Sequence, residues 1–166
     1  WSEDVGASLA VNANYFSKVS DAGGEEMADI IGLSVSDGVV VSPPRTYGSH
    51  ADPALIFTDD HRAAACYCDS NQLSHVVAAV AGVGGSQSDP ERGTLLVDDR
   101  INLGDRARVD PEKRHPRTAA GISADGRYLY LLVIDGRQKD YSLGATTAEV
   151  GAWLKALGAS EGINLD

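Results

Sequence analysis

Residues 128–134, Tyr-Leu-Tyr-Leu-Leu-Val-Ile, are apolar on both alternating faces and open a stretch whose order of signals permits few folds. Apolar side chains on both faces are what a strand covered on both sides carries, so this run predicts an interior strand. Ahead of it, residues 118–123 predict a shorter strand, and Ala124, Asp125, Gly126 and Arg127 supply the turn of a hairpin, since Gly126 takes positive φ at little cost. Counting back from that turn sets Arg117 opposite the end of the long strand, beside Ile134 and Asp135. After Asp135, Gly136 and Arg137, a polar loop leads to Thr146, Thr147, Ala148 and Glu149, a capping box. The helix it opens has Val150, Trp153, Leu154 and Leu157 as its apolar stripe and ends at Gly158. Residues 163–166 then return as a brief strand. Strand-helix-strand connections in one sheet are parallel and right-handed almost without exception, so Asp135 and Asp166 are expected at the same sheet edge, where open α/β sheets place their sites.

The middle of the chain predicts connected β structure. Residues 33–36 and 39–42 flank Asp37-Gly38 as one hairpin, and residues 54–58 and 63–68 flank a four-residue turn as another. Residues 73–81 fit either helix or strand, because a short apolar run does not decide between them. Residues 94–97 predict a further strand. Two loops, 18–28 and 82–93, are long for a compact domain and are expected to be mobile or to rim a site. With no internal repeat or interdomain linker, the expectation is a single α+β domain over residues 1–166 with a mixed β-sheet.

Composition narrows the functions. A formal net charge of −10 argues against nucleic acid, because phosphate-tracking proteins need a basic face. No apolar run approaches the ~20 residues that span a bilayer. Trp1, Ser2, Glu3 and Asp4 do not begin a signal peptide, so an export signal is expected to be already removed or to lie outside these residues. Cys66 and Cys68, the only cysteines, are expected to be a free buried pair, since close neighbours bridge poorly. His61, Cys66, Cys68 and His75 lack zinc-site spacing. Gln87 stands where the third glycine of a dinucleotide fingerprint belongs. No metal or cofactor is called for.

Arg114, His115, Pro116, Arg117, Thr118, Ala119, Ala120 and Gly121, then Asp135, Gly136, Arg137, Glu149 and the closing Ile163, Asn164, Leu165 and Asp166 resemble the phosphodiester glycosidase family in order and spacing. Upstream, residues 11–16 resemble the family's early Asn-containing strand with its aromatic end, and residues 32–42 the hairpin after it. The family continues past Asn-Leu-Asp into glycines and a serine, and residue 166 is the last here. The expected domain therefore lacks that glycine-rich segment. The resemblance implies a hydrolase that cleaves a glycosyl phosphodiester of the N-acetylglucosamine-1-phosphate type at the anomeric carbon, acting outside the cytoplasm on a sugar phosphodiester or phosphorylated glycan.

The residues support that chemistry. A phosphate monoester has a second pKa of about 6, so it departs with little protonation and needs mainly charge stabilisation. Arg114, Arg117 and Arg137 offer cations on an acidic chain, and Arg117 is the expected phosphate fork. Asp135 and Asp166 are the catalytic candidates, one as base or nucleophile and the other orienting substrate; retention or inversion follows their separation. Asp135 also suits a plain turn with Gly136. Substrate contacts are expected from Asn12, Asn14, His115, Arg117, Thr118, Gly136, Arg137 and Asn164, although asparagines at strand ends also satisfy local backbone. Glu149 is left out, because helix capping explains it. The alternatives are a non-catalytic carbohydrate or envelope-polymer binding module of the same fold, and metal-dependent cleavage at phosphorus, which needs a tighter acidic cluster.

Overall fold

A computed structural model describes residues 6–17, 28–47, 50–82, 94–102 and 110–166. In chain order its strands are β1 (Phe16–Ser17), β2 (Asp29–Ile30), β3 (Ser34–Ser36), β4 (Val39–Ser42), β5 (Thr46–Tyr47), β6 (His50–Ala51), β7 (Ala54–Thr58), β8 (Ala63–Cys66), β9 (Val76–Ala81), β10 (Thr94–Val97), β11 (Arg100–Ile101), β12 (Arg117–Ile122), β13 (Leu129–Ile134) and β14 (Glu161–Asn164), with helix α1 (Thr147–Leu157) between the last two strands. One five-stranded sheet has the order β11-β10-β14-β12-β13 and a second the order β4-β3-β9-β7-β8. The two long loops expected from the sequence fall almost wholly outside the described residues.

The first sheet is the middle layer. On one face Ala119 joins Leu95, Leu96, Val150 and Leu154 in a core shared with α1. On the other, Ala120, Ile122, Ile163 and Leu165 meet Leu55 of the second sheet. A third cluster, with Leu33, Val35, Ala54, Val76 and Ala79, covers the outer face of that second sheet. Each fully buried Leu or Val side chain contributes about 1.5–3 kcal/mol through its removal from water. All six residues of β12 are buried, so the interior strand is β12 and not 128–134. Among the described residues β13 pairs with β12 alone and forms the sheet edge. Tyr130, Leu132 and Ile134 pack on the helix-side core, whereas Leu129, Leu131 and Val133 face outward, Val133 at 60% exposure. The second sheet reaches the first through β8, which lies against β14 and β12. β13 sits one strand further out, so its second apolar face lacks the cover the sequence pattern implied.

The hairpin register is the one counted from the turn: Arg117 pairs with Ile134 and Ile122 with Leu129. Gly126 takes φ +68 in the turn between them. β13 and β14 each pair antiparallel with β12, so they run parallel to one another across it. The strand-helix-strand unit and the single α+β domain stand. The mixed character expected of the sheet is confined to these second neighbours; every ladder among the described residues is antiparallel.

Several local expectations change. Of residues 73–81, Val76–Ala81 resolve as strand, β9, between β3 and β7. Only Phe16 and Ser17 of the early segment are strand. α1 is capped as expected, with Thr146 Oγ1 accepting from Glu149 N, Glu149 accepting from Thr146 N, and Gly158 left-handed at φ +106. Its buried stripe is Thr147, Val150, Gly151 and Leu154; Trp153 and Leu157 are 48% and 55% exposed. Gly151 faces Leu95, whose carbonyl oxygen would lie 3.1 Å from an added Cβ, and this close approach rotates the helix away from Trp153. Cys66 and Cys68 form a disulfide, contrary to the free pair expected, with their Cα atoms 5.3 Å apart and thus within bridging range.

Candidate active site

The ends of β12 and β13, the Asp166 terminus of β14 and the segment before β1 enclose a cleft of about 460 Å³. Because Arg117 opens β12 where Ile134 closes β13, and because Thr118 N donates to Asp166 O at 2.9 Å, Arg117, Asp135 and Asp166 meet at one sheet edge. Asn12, Thr118, His115 and Arg137 line the same cleft, joined by Tyr15 and Asp110.

The first carboxylate is held by a chain of side chains. Thr118 Oγ1 donates to Asn12 Oδ1, and Asn12 Nδ2 donates to Asp166 Oδ2. Tyr15 lines the cleft with the same carboxylate. Burial pushes its phenol up to about 12, the Asp166 charge and hydrogen bond push in the same direction, and Arg117 and Arg137 oppose. Asp135 is exposed, and its Oδ2 accepts from Tyr141 Oη at 3.4 Å. Its backbone carbonyl accepts from Ser142 Oγ at 2.6 Å, which closes the loop after β13.

His115 is pinned by a two-bond bridge to Ala145. Its Nδ1 faces Arg137 Nη2 at 3.3 Å, and its Nε2 lies 3.5 Å from Asp110 Oδ2. A guanidinium has no acceptor, so Nδ1 takes the acceptor role and the ring hydrogen sits on Nε2, toward Asp110. Lys113, hydrogen-bonded to Asp110, holds that carboxyl below the usual carboxylate range, and His115 adds to the effect.

Arg117, expected as the phosphate fork, lines the cleft as a buried side chain. Only 3% exposed, it donates from Nε to Ala145 O at 3.1 Å and from Nη2 to Asp110 O and Lys113 O at 3.0 and 3.1 Å. These bonds tie the chain ahead of β12 to the start of α1. Arg117 thus presents charge from beneath the cleft, while Arg137, exposed and left-handed at φ +56, reaches over it. Arg114 lies outside the cleft, paired with Glu149 at the start of α1.

Three expected contact residues are not among those that line the cleft. Asn14 Nδ2 donates to Ile31 O and Leu33 O at 3.2 and 3.0 Å, a backbone tie. Gly136 is a packing glycine: a Cβ there would sit 2.4 Å from Pro116 N. Asn164 is 1% exposed, does not line the cleft, and its side-chain amide finds no hydrogen-bond partner among the described residues. Sequence reasoning missed Tyr15 and Asp110 as cleft residues. Tyr15 closes the aromatic end of the early segment and could have been weighed. Asp110, in a polar stretch without periodicity, carried no signal.

Comparison with known proteins agrees with this architecture. The catalytic domain of zebrafish N-acetylglucosamine-1-phosphodiester alpha-N-acetylglucosaminidase, auto-inhibited by its pro-peptide, superposes with a TM-score of 0.64 at 21% identity over 93% of this chain and 49% of that one. A hypothetical protein from Synechocystis gives a TM-score of 0.54 at 14% identity over 99% of this chain and 46% of its own. The chain therefore spans about half the length of these solved relatives. No curated protein matches the sequence significantly. The phosphodiester glycosidase model matches residues 5–166, almost the whole sequence, and the chain belongs to that family.

Proposed function

We propose that the cleft hydrolyses a glycosyl phosphodiester of the N-acetylglucosamine-1-phosphate type at the anomeric carbon. The observation that carries this reading is the meeting of Asp135 and Asp166 with Arg137, His115 and the buried charge of Arg117 around one cleft. A dialkyl phosphate is an anion, and on this acidic chain Arg137 supplies exposed donors for its oxygens, with Arg117 adding positive potential from below. As the bond from the anomeric carbon to the phosphate oxygen breaks, its electron pair stays on the phosphate, which needs charge stabilisation more than protonation. Water, or a carboxylate that water later displaces, bonds to the same carbon, and the proton released by water passes to the carboxylate acting as base. The substrate class follows the zebrafish relative's name together with this distribution of charge.

Residues 1–166 would then be the part of the fold that carries the cleft, working outside the cytoplasm as the resemblance implies. Incubating the protein with an N-acetylglucosamine phosphodiester in isotopically labelled water tests the reading. Label on the reducing sugar is expected. Label on the phosphate means cleavage at phosphorus and removes the proposal. Saturable binding with no sugar released favours the second reading, a carbohydrate-binding module of the same fold.

A further inference from the structure

We propose that Tyr15, together with Asn12, is a positioning residue that fixes the Asp166 carboxylate in the cleft and makes Asp166, rather than Asp135, the electron-pair donor of the hydrolysis. This rests on the hydrolytic reading above. The segment that carries both residues is a strap between the two sheets. On the second-sheet side, Tyr15 O accepts from Ile31 N at 2.7 Å, and Asn14 holds Ile31 O and Leu33 O. The backbone is thereby anchored without help from substrate.

From that anchored strap, Asn12 reaches Asp166, and the orientation of its amide is determined. A flipped Asn12 would aim its carbonyl oxygen at the carboxylate, acceptor against acceptor, whereas the Thr118 hydroxyl tolerates either arrangement. Tyr15, three residues on, lines the cleft with Asp166 at 37% exposure. Its phenol is pushed up to about 12 by burial first and then by Asp166, so it remains a donor across the working range. Asp135 has an exposed side chain and one hydroxyl at 3.4 Å. A carboxylate held by a donor on an anchored segment is closer to the geometric demand of an attacking or proton-accepting group than one on an exposed turn. In the water route the new bond joins water oxygen to the anomeric carbon, the proton goes to Asp166, and the phosphate departs with the electron pair of the broken bond.

Two measurements test the assignment. The first follows tyrosinate formation by ultraviolet absorbance, with Tyr15→Phe identifying the contribution of Tyr15. In Asp166→Asn this titration should fall toward the ordinary tyrosine value of about 10, and in Asp135→Asn it should stay in place. Equal behaviour in the two variants overturns the contact. The second follows turnover of an N-acetylglucosamine phosphodiester. Tyr15→Phe should lower kcat about ten- to hundredfold with KM nearly held, and should cost nothing further when added to Asp166→Asn. Full additivity, or a loss confined to KM, overturns the positioning role. If the unsubstituted chain releases no sugar, the hydrolytic reading and the donor role fall together, and the titration still decides whether Tyr15 contacts Asp166.

Discussion

Asn12 and Asp166, 154 positions apart in the sequence, are joined by a hydrogen bond from the amide Nδ2 to the carboxylate Oδ2. The bond brings an early segment with little regular structure into the cleft, where Thr118 completes its polar contacts. Asn12→Asp sets two carboxylates face to face, and like charges at this range disfavour joint ionisation. The variant should lose melting temperature at pH 7 and recover much of it near about pH 4, where one of the pair is protonated. A loss independent of pH would mean that Asn12 acts through packing.

Asp166 is a short step from its pairing partners, and for that reason its position was legible in the sequence. A strand-helix-strand unit with parallel strands brings both strand ends to one edge, and the turn signal of residues 124–127 set the register of β12 on β13. What could not be read was which strand lies inside. Leu129, Leu131 and Val133 look like residues of a covered strand, yet cover depends on how far the second sheet extends, a tertiary property with no local signal. Arg117 shows the same limit at the site: its place was countable, but the carbonyls of Asp110, Lys113 and Ala145 that engage it come from loops.

Those carbonyls separate the two arginines. Arg117→Ala removes three hydrogen bonds to the carbonyls of Ala145, Asp110 and Lys113, the first two of which keep a backbone donor, and should lower stability by about 1–3 kcal/mol. Arg137→Ala removes an exposed side chain and should change stability by less than about 0.5 kcal/mol. Its affinity for phosphodiesters should fall about ten- to hundredfold, with neutral glycosides bound as before, as a charge-assisted contact to phosphate is lost. Calorimetric titration of both ligand types checks this, and equal weakening of the two would take Arg137 out of phosphate recognition.

Glu149 closes the α1 capping box and pairs with Arg114. Glutamine still reaches the Thr146 amide, so Glu149→Gln should cost under about 1 kcal/mol, mostly the partly exposed ion pair. Turnover should be nearly unchanged. An unaltered melting temperature with turnover abolished would place Glu149 in the chemistry.

The raised Tyr15 phenol also predicts an alkaline limit. Its folded value of about 12 exceeds the ordinary 10.0, so the folded state binds this proton more tightly. The stabilisation is full below the unfolded value and is lost as pH rises through the folded one. Melting curves of the wild type should therefore decline across that window more steeply than those of Tyr15→Phe. Parallel declines would show that the phenol is not perturbed by folding.

Gly136 sits where the turn after β13 crosses the His115-Pro116 segment. A Cβ there would approach Pro116 N to 2.4 Å, Pro116 Cδ to 2.7 Å and the His115 carbonyl carbon to 2.9 Å, all part of the backbone or of a rigid ring. None of these atoms can rotate away, so Gly136→Ala must push that segment and displace His115 and Arg117 together. The cost expected of such overpacking is on the order of 3 kcal/mol, accompanied by loss of turnover. Gly38→Ala is the control. Gly38 has positive φ, +74, which Gly136 does not, and nothing lies within 4 Å of its added Cβ. Backbone strain alone should cost it about 1–2 kcal/mol and leave the cleft intact. Denaturant melts and turnover of the two variants separate the effects. If Gly136→Ala keeps both stability and rate, the turn after β13 does not set the position of His115.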